Sequence, residues 1–247
     1  MQHTSLQQKL REDYRAVAEQ YRSDDEAEIL TDNHWRLAGV LKSICRSFER
    51  PITVLDAGCG TGRYFHCLEN VARLVGMDLS PEMLAAARNP VRRTAVSVEE
   101  IQLLQGSIYV ASFPPESYDF IYSMGMFGYG APVTAELCRK FYDWLRPGGT
   151  LFFDAVDVDG LSRPRRLRFR AKQAAYPLLP RCLQRVLKRR QNGSRFFGLS
   201  HKELGRIMEK TPFSNLSIES HPCESPLWNG RHLECLAVKR ALKPAHV

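Results

Sequence analysis

A short apolar run, Ile52 to Leu55, ends in Asp56-Ala57-Gly58-Cys59-Gly60-Thr61-Gly62. Twenty residues past Gly58, a second apolar run, Leu74 to Met77, ends in Asp78. This pairing constrains the chain more than any other feature. Glycines permit a tight strand-to-helix turn and let a ligand approach the main chain, and the expected helix from about Arg63 presents free N–H groups there. Open α/β sheets bind ligands at that place, beyond the carboxyl ends of their strands. A carboxylate ending the second strand can accept hydrogen bonds from both hydroxyls of a ribose. The spacing is GxGxG, not the GxGxxG of dinucleotide binders, and no GxxxxGK[ST] is present. Asp56 ahead of the loop is ill suited to cradling a pyrophosphate. An adenosine ligand with a cationic amino-acid tail fits an acid-flanked loop better than NAD or FAD does.

Around this loop the chain alternates strand and helix. Apolar spacing predicts helices over 5–22 and 33–48, the second capped by Asp32 or Asn33 and stopped before Pro51. Ser80 is an N-cap with Pro81 in the first turn of a helix that runs on through Met83 to Arg88. Ile101–Gln105 and Tyr118–Ser123 read as the third and fourth strands, Pro132–Leu145 as a helix stopped by Arg146-Pro147-Gly148-Gly149, and Thr150–Val156 as the fifth strand. Such alternation implies parallel strands with right-handed crossovers. Leu199–Lys210 reads as a helix capped by Ser200. Leu216–Glu219 and Leu233–Val238 then read as an antiparallel pair.

Composition bounds the rest. The chain has 247 residues, enough for one domain with elaborations. No apolar run approaches the roughly 18 residues of a spanning helix, and the N-terminal stretch lacks the apolar core of a signal peptide; a cytoplasmic protein is expected. Seven cysteines without a CxxC pair suggest reduced, buried thiols, with neither a zinc site nor a disulfide framework. The net charge of +8 is concentrated: residues 161–190 hold eleven Lys or Arg and no acid, so the rest of the chain carries −3. The high isoelectric point therefore describes one segment and not the fold.

VLDAGCGTGRY at 54–64 resembles the first motif of class I S-adenosylmethionine (SAM)-dependent methyltransferases. GMDLSPEML at 76–84 resembles their second-strand motif, and LRPGGTLFF at 145–153 their turn before the fifth strand. All three stand in the family's order and at its intervals. The resemblance implies an α/β, doubly wound, Rossmann-like sheet of seven strands in the order 3-2-1-4-5-7-6 with strand 7 antiparallel, and SAM as cofactor. It also implies roles. Asp56 and the main chain of Gly58, Cys59 and Gly60 would hold the methionyl part; Asp78 would bind the ribose; Leu79 and Met83 would flank the adenine. Ser107 and Ile108 would meet the adenine edge, and Ser123, with Met124, would sit beside the transferable methyl. Many members carry Asp where Ser107 stands, so this contact loses charge assistance.

Methyl transfer from a sulfonium is an in-line displacement that needs alignment and exclusion of water more than a catalytic group. A general base is needed only for an acceptor protonated at rest, such as an alcohol. His201 and Asp154 are the candidates, with Asp157, His221 and His232 as further ionisable groups near the last strands. The fourth strand ends Ser123-Met124-Gly125-Met126-Phe127 with no [DN]PP[YF], which argues against exocyclic amines of bases. The expected reaction is methylation of a small organic acceptor, apolar, quinone- or lipid-like, at oxygen. An RNA or protein methyltransferase holding its substrate through the basic segment, and a non-catalytic SAM-binding module, are the alternatives. The expected organisation is a helical cap over 1–50, with Tyr14 and Tyr21 over the cofactor, a SAM-binding core over 51–157, a basic substrate lid over 158–198 and a C-terminal helix and strand pair over 199–247. The lid's mixture of basic and apolar side chains also suits an anionic membrane or lipid surface.

Overall fold

The computed structural model describes residues 20–128, 131–175, 197–224 and 229–241. Helical turns over 20–28 (α1) lead into α2 (Asp32–Arg46), β1 (Ile52–Ala57), β2 (Val71–Asp78), α3 (Pro81–Ala87), β3 (Glu100–Gln105) and β4 (Tyr118–Phe127). α4 (Ala135–Trp144), β5 (Leu145–Val156), α5 (Arg163–Ala175), α6 (His201–Met208), β6 (Ser214–Glu224) and β7 (Asn229–Val238) follow. The expected helix over 5–22 lies mostly outside the described residues.

The sheet has the expected order, β3-β2-β1-β4-β5-β7-β6. β7 runs antiparallel to both β5 and β6, and the other described pairs are parallel. Alternate residues of the central strands feed two cores. Ile52 and Val54 face α2 and α3 with Leu41, Ile44 and Leu84, whereas Leu55 and Ala57 face α4 and α6 with Leu137, Phe141 and Leu204. This alternation follows from the period of two along a strand. It leaves the carboxyl ends of β1, β2, β4 and β5 at one edge of a sheet covered on both faces.

Local chemistry accounts for most boundaries. Ser80 caps α3 by accepting from the Met83 amide at 3.2 Å, with Pro81 at the first position. Ser200 and Glu203 form a capping box on α6. Two expectations are corrected. Thr31, not Asp32 or Asn33, caps α2, its hydroxyl accepting from His34 N at 3.1 Å. α4 is capped by Thr134 and so begins after Pro132.

The larger correction concerns the glycine loop. No α-helix follows it; the chain makes only a 3-10 turn, Phe65–Cys67, before Asn70 takes a left-handed φ of 56° and turns into β2. Residues 58–70 are all that separate β1 from β2. The glycine loop takes up the first five of these residues, its three glycines at positive φ, and the left-handed Asn70 ends the connection. α2 packs over the 3-10 turn instead. The six described cysteines are all free and buried; Cys182 lies outside the described residues. No described helix is long and apolar enough to cross a membrane.

Candidate active site

The glycine loop is stitched to the end of β2. The amides of Gly58 and Cys59 both donate to the Met77 carbonyl, at 2.8 and 3.0 Å. Asp78 completes the join: Oδ2 accepts from Gly60 N and Oδ1 from Ser80 N, each at 2.9 Å. Burial raises the Asp78 pKa, against the main-chain donors of Ser80, Gly60 and Leu79. Gly58, Gly60 and Gly62 all have positive φ, 84°, 53° and 77°. At Gly58 this is doubly required, because a Cβ there would stand 2.6 Å from Sδ of Met126 on β4.

A cavity of about 560 Å³ opens in front of this join, within the usual range for small-molecule sites. Its lining includes Gly58, Cys59, Gly60, Asp78, Leu79, Met83, Ser107 and Ile108. Eight residues expected at a cofactor therefore line one cavity, drawn from the ends of β1, β2 and β3 and from α3. These residues fit SAM. Each Asp78 oxygen has a second lone pair for a ribose hydroxyl, a Cβ on Gly60 would meet nothing within 4 Å, and Leu79, Met83 and Ile108 supply an apolar slot. The amides of Gly58 and Gly60 are already engaged, so what these two glycines offer a cationic tail is carbonyl oxygen.

Two expected residues are placed differently. Asp56 is buried, outside the cavity lining, and burial chiefly pushes its carboxyl up to about 7, with Tyr122 beside it lowering it and Asp78 raising it. Ser123 is fully buried and donates from Oγ to the Ala57 carbonyl at 2.6 Å, so it ties β4 to β1 and does not line the cavity; Met124, Gly125 and Met126 do.

The same lining also holds a polar group of side chains. Tyr21, Asp25 and Glu28 of α1 and Asn33 of α2 face Arg63, Tyr64, Asp154, Cys223 and His232. Arg63 Nη1 lies 3.3 Å from Asp25 Oδ1, and Thr61 donates a short hydrogen bond to Asp25. Burial raises the Asp25 pKa, against the pull of Arg63 and Thr61. Asp154 accepts from Gly125 N at 2.6 Å and holds His232 Nδ1 at 2.9 Å. Burial would depress the imidazole, but the adjacent Asp154 overrides it and drives His232 up to about 10. Glu28 Oε2 and Arg63 Nε are buried with no hydrogen-bond partner among the described residues.

The remaining ionisable candidates are elsewhere. His201 is exposed with Nε2 3.0 Å from the Ile218 carbonyl. Asp157 accepts from Ser220 Oγ and Asp159 N, and His221 faces Glu219 and Glu234. Of the two proposed bases only Asp154 is at the cavity. Asp25, Glu28 and Arg63 escaped the sequence reading. The sole available signal was an acid-rich helix, SDDEAEIL, whose pattern is that of a solvated surface.

Comparison with known proteins agrees with this geometry. The family model described as methyltransferase domain matches residues 54–149. A tRNA U34 carboxymethyltransferase of Shewanella denitrificans is 32% identical over 129 residues, covering 51% of this chain but only 37% of that protein. A demethylmenaquinone methyltransferase of Chlorobaculum tepidum is 29% identical over 127 residues, covering 49% of this chain and 48% of that one. Phosphoethanolamine N-methyltransferase 2 of Haemonchus contortus, solved with S-adenosyl-L-methionine, superposes with a TM-score of 0.58 at 17% identity, covering 83% of this chain and 53% of that one. The strand order and the matched domain define an α/β fold of the SAM-dependent methyltransferase type. Residues 54–149 match a methyltransferase domain, and the sheet is that of the class I SAM-dependent methyltransferases.

Proposed function

We propose that the protein transfers the methyl group of SAM to a small polar acceptor, at oxygen, bound in the same cavity. The observation that carries this reading is the continuity of one cavity from the glycine join to a wall of Asp25, Glu28, Arg63, Asp154 and His232. The buried, unpartnered Glu28 Oε2 and Arg63 Nε in that wall suit a ligand with both a donor and an acceptor. Such a wall favours a polar acceptor over the apolar one suggested by the Met124–Phe127 run. His232 carries its proton at neutral pH, so it would orient an acceptor and not deprotonate it; a carboxylate, Glu28 or Asp154, is the group available as base. Bound SAM would supply the electrophilic methyl; Asp78, Leu79, Met83, Ser107 and Ile108 would hold its nucleoside.

The expected division of the chain belongs to this reading. α1 and α2 contribute Tyr21, Asp25, Glu28, Asn33 and Leu37 to the cavity, as a cap would. No described residue of 158–198 lines it. α5 in that segment is Arg-rich and largely exposed, with Leu167 65% exposed. That surface, with the relative named for tRNA, favours the second reading, an RNA substrate held by 161–190.

Incubation with methyl-labelled SAM and a cell extract separates the two. Label in the small-molecule fraction supports the first reading. Label in RNA that disappears when Arg163, Arg165 and Arg168 are changed to Gln supports the second. Binding of S-adenosylhomocysteine with no label in any fraction would sink both.

A further inference from the structure

The 3-10 turn that replaces the expected helix puts two side chains against a third from α2. His34 Nε2 and His66 Nε2 are 3.3 Å apart, and Cys67 Sγ lies 3.4 Å from His66 Nε2 and 3.8 Å from His34 Nε2. All three residues are buried. We propose that His34, His66 and Cys67 form a binding site for a single soft metal ion, Cu(I), behind the Tyr64 wall of the cavity.

Three observations carry this. The first is spacing. Ligands bound to one ion at about 2.0–2.1 Å through nitrogen and about 2.3 Å through sulfur stand about 3.3–3.8 Å apart, which is the spacing of these three atoms. The second is polarity without partners. Both Nδ1 atoms are buried with no hydrogen-bond partner among the described residues, while the two Nε2 atoms face each other and the Cys67 sulfur. The two Nε2 atoms and the Cys67 sulfur are the donor types a metal takes, a neutral imidazole nitrogen and a thiolate. The third is rigidity: His34 stacks on Tyr64 with ring centroids 5.2 Å apart, and Trp35 stands edge-on to both imidazoles at 5.4 and 6.0 Å.

The charge around the cluster selects the ion. Arg63, Arg92 and Lys42 all bear on it, Arg92 lying over the Trp35 ring and Lys42 pairing with Glu69. Metal binding to a cysteine displaces the thiol proton: Cu(I) and the Cys67 thiol give a copper–thiolate bond and one released proton. The product is neutral. Zn(II) at the same three ligands would leave a buried net positive charge with no carboxylate among its ligands and Arg92 nearby, which is costly. Thiolate and imidazole donors also suit Cu(I). A search for CxxC or other short motifs misses this site because His34 is 32 residues from His66 and only the fold joins them.

The test is anaerobic titration of the purified protein with Cu(I) against the chromophoric competitor bicinchoninate. One ion per chain is expected. Cys67→Ser and His66→Gln should each weaken capture at least tenfold, and Cys138→Ser, a buried thiol in the other core, should leave it unchanged. X-ray absorption on the wild-type loaded protein needs no variant and should show two nitrogen ligands and one sulfur. No capture, capture indifferent to Cys67 and His66, or a sulfur-only shell would overturn the site. Equal capture of Zn(II) at the same residues would overturn the choice of ion.

Discussion

Asp154 on β5 and His232 on β7 meet at 2.9 Å although 78 positions separate them. The register explains it. Asp154 is paired with Glu234 and Val156 with His232 in the antiparallel ladder, so Asp154 and His232 are diagonal neighbours on one face, within reach of each other. Both are buried in the wall of the cavity.

This pair makes stability pH-dependent in a stated direction. His232 is raised from the ordinary imidazole range to about 10. A pKa raised on folding contributes stability that is fully present below about 6.5 and is lost as pH rises through about 10. Urea denaturation between those limits should show a falling midpoint for the wild type. His232→Gln should flatten that slope and, by leaving Asp154 buried without its partner, cost about 3 kcal/mol at pH 7. A variant with unchanged stability at pH 7 would mean the pair is not formed.

Asp78 is predicted to act on both cofactor and fold. Its oxygens anchor Gly60 and Ser80 and face the cavity. Asp78→Ala should weaken S-adenosylhomocysteine binding by roughly 3 kcal/mol, over a hundredfold, for two lost charged hydrogen bonds. Two orphaned amides should lower thermal stability as well. Calorimetric titration of the folded variant reads the first effect and thermal melting the second; affinity unchanged in a folded variant removes the ribose assignment.

The parts of this molecule legible in the sequence are those set by neighbours along the chain. Ser80-Pro81 and the Ser200–Glu203 box announce their helices by local hydrogen bonding, and the strand order follows from a resemblance carried by contiguous motifs. What was illegible depends on which way a side chain turns or what a distant segment supplies. Ser123 ends up hydrogen-bonded to β1 because of its place in the strand alternation. The helix expected after Gly62 is replaced by a 3-10 turn that α2, from an earlier part of the chain, packs over. The polar wall draws on α1, β5 and β7 at once, and no local pattern marks Asp25 or Glu28 as its members.

Asp56 carries a second pH signature, of the opposite residue type but the same sign. Its carboxyl is raised from about 3.8 to about 7 by burial. The stability this reflects is fully present below about 4 and is lost as pH rises through about 7, where a charge must be held without water. Asp56→Asn keeps the shape of the neutral acid. In the cofactor-free protein it should be more stable than the wild type above pH 8, by roughly 2–4 kcal/mol, and equal to it near pH 4. Denaturation midpoints at the two pH values decide this; a destabilised Asn variant at pH 8 would show that the carboxylate is held charged.

The glycine join makes a prediction that separates space from backbone strain. Gly58→Ala meets two obstacles: a φ of 84° and Sδ of Met126 at 2.6 Å from the added Cβ. A left-handed conformation costs a non-glycine residue about 1–2 kcal/mol, and the close contact adds to it. Gly58→Ala should therefore lose stability and S-adenosylhomocysteine affinity together, because the Gly58 amide, bonded to Met77, fixes the loop. Adding Met126→Ala removes the contact but not the φ. The double variant should recover part of the affinity and retain a deficit of about 1–2 kcal/mol. Full recovery would mean that the loop relaxes to a right-handed conformation, and no recovery that Met126 is not the obstacle.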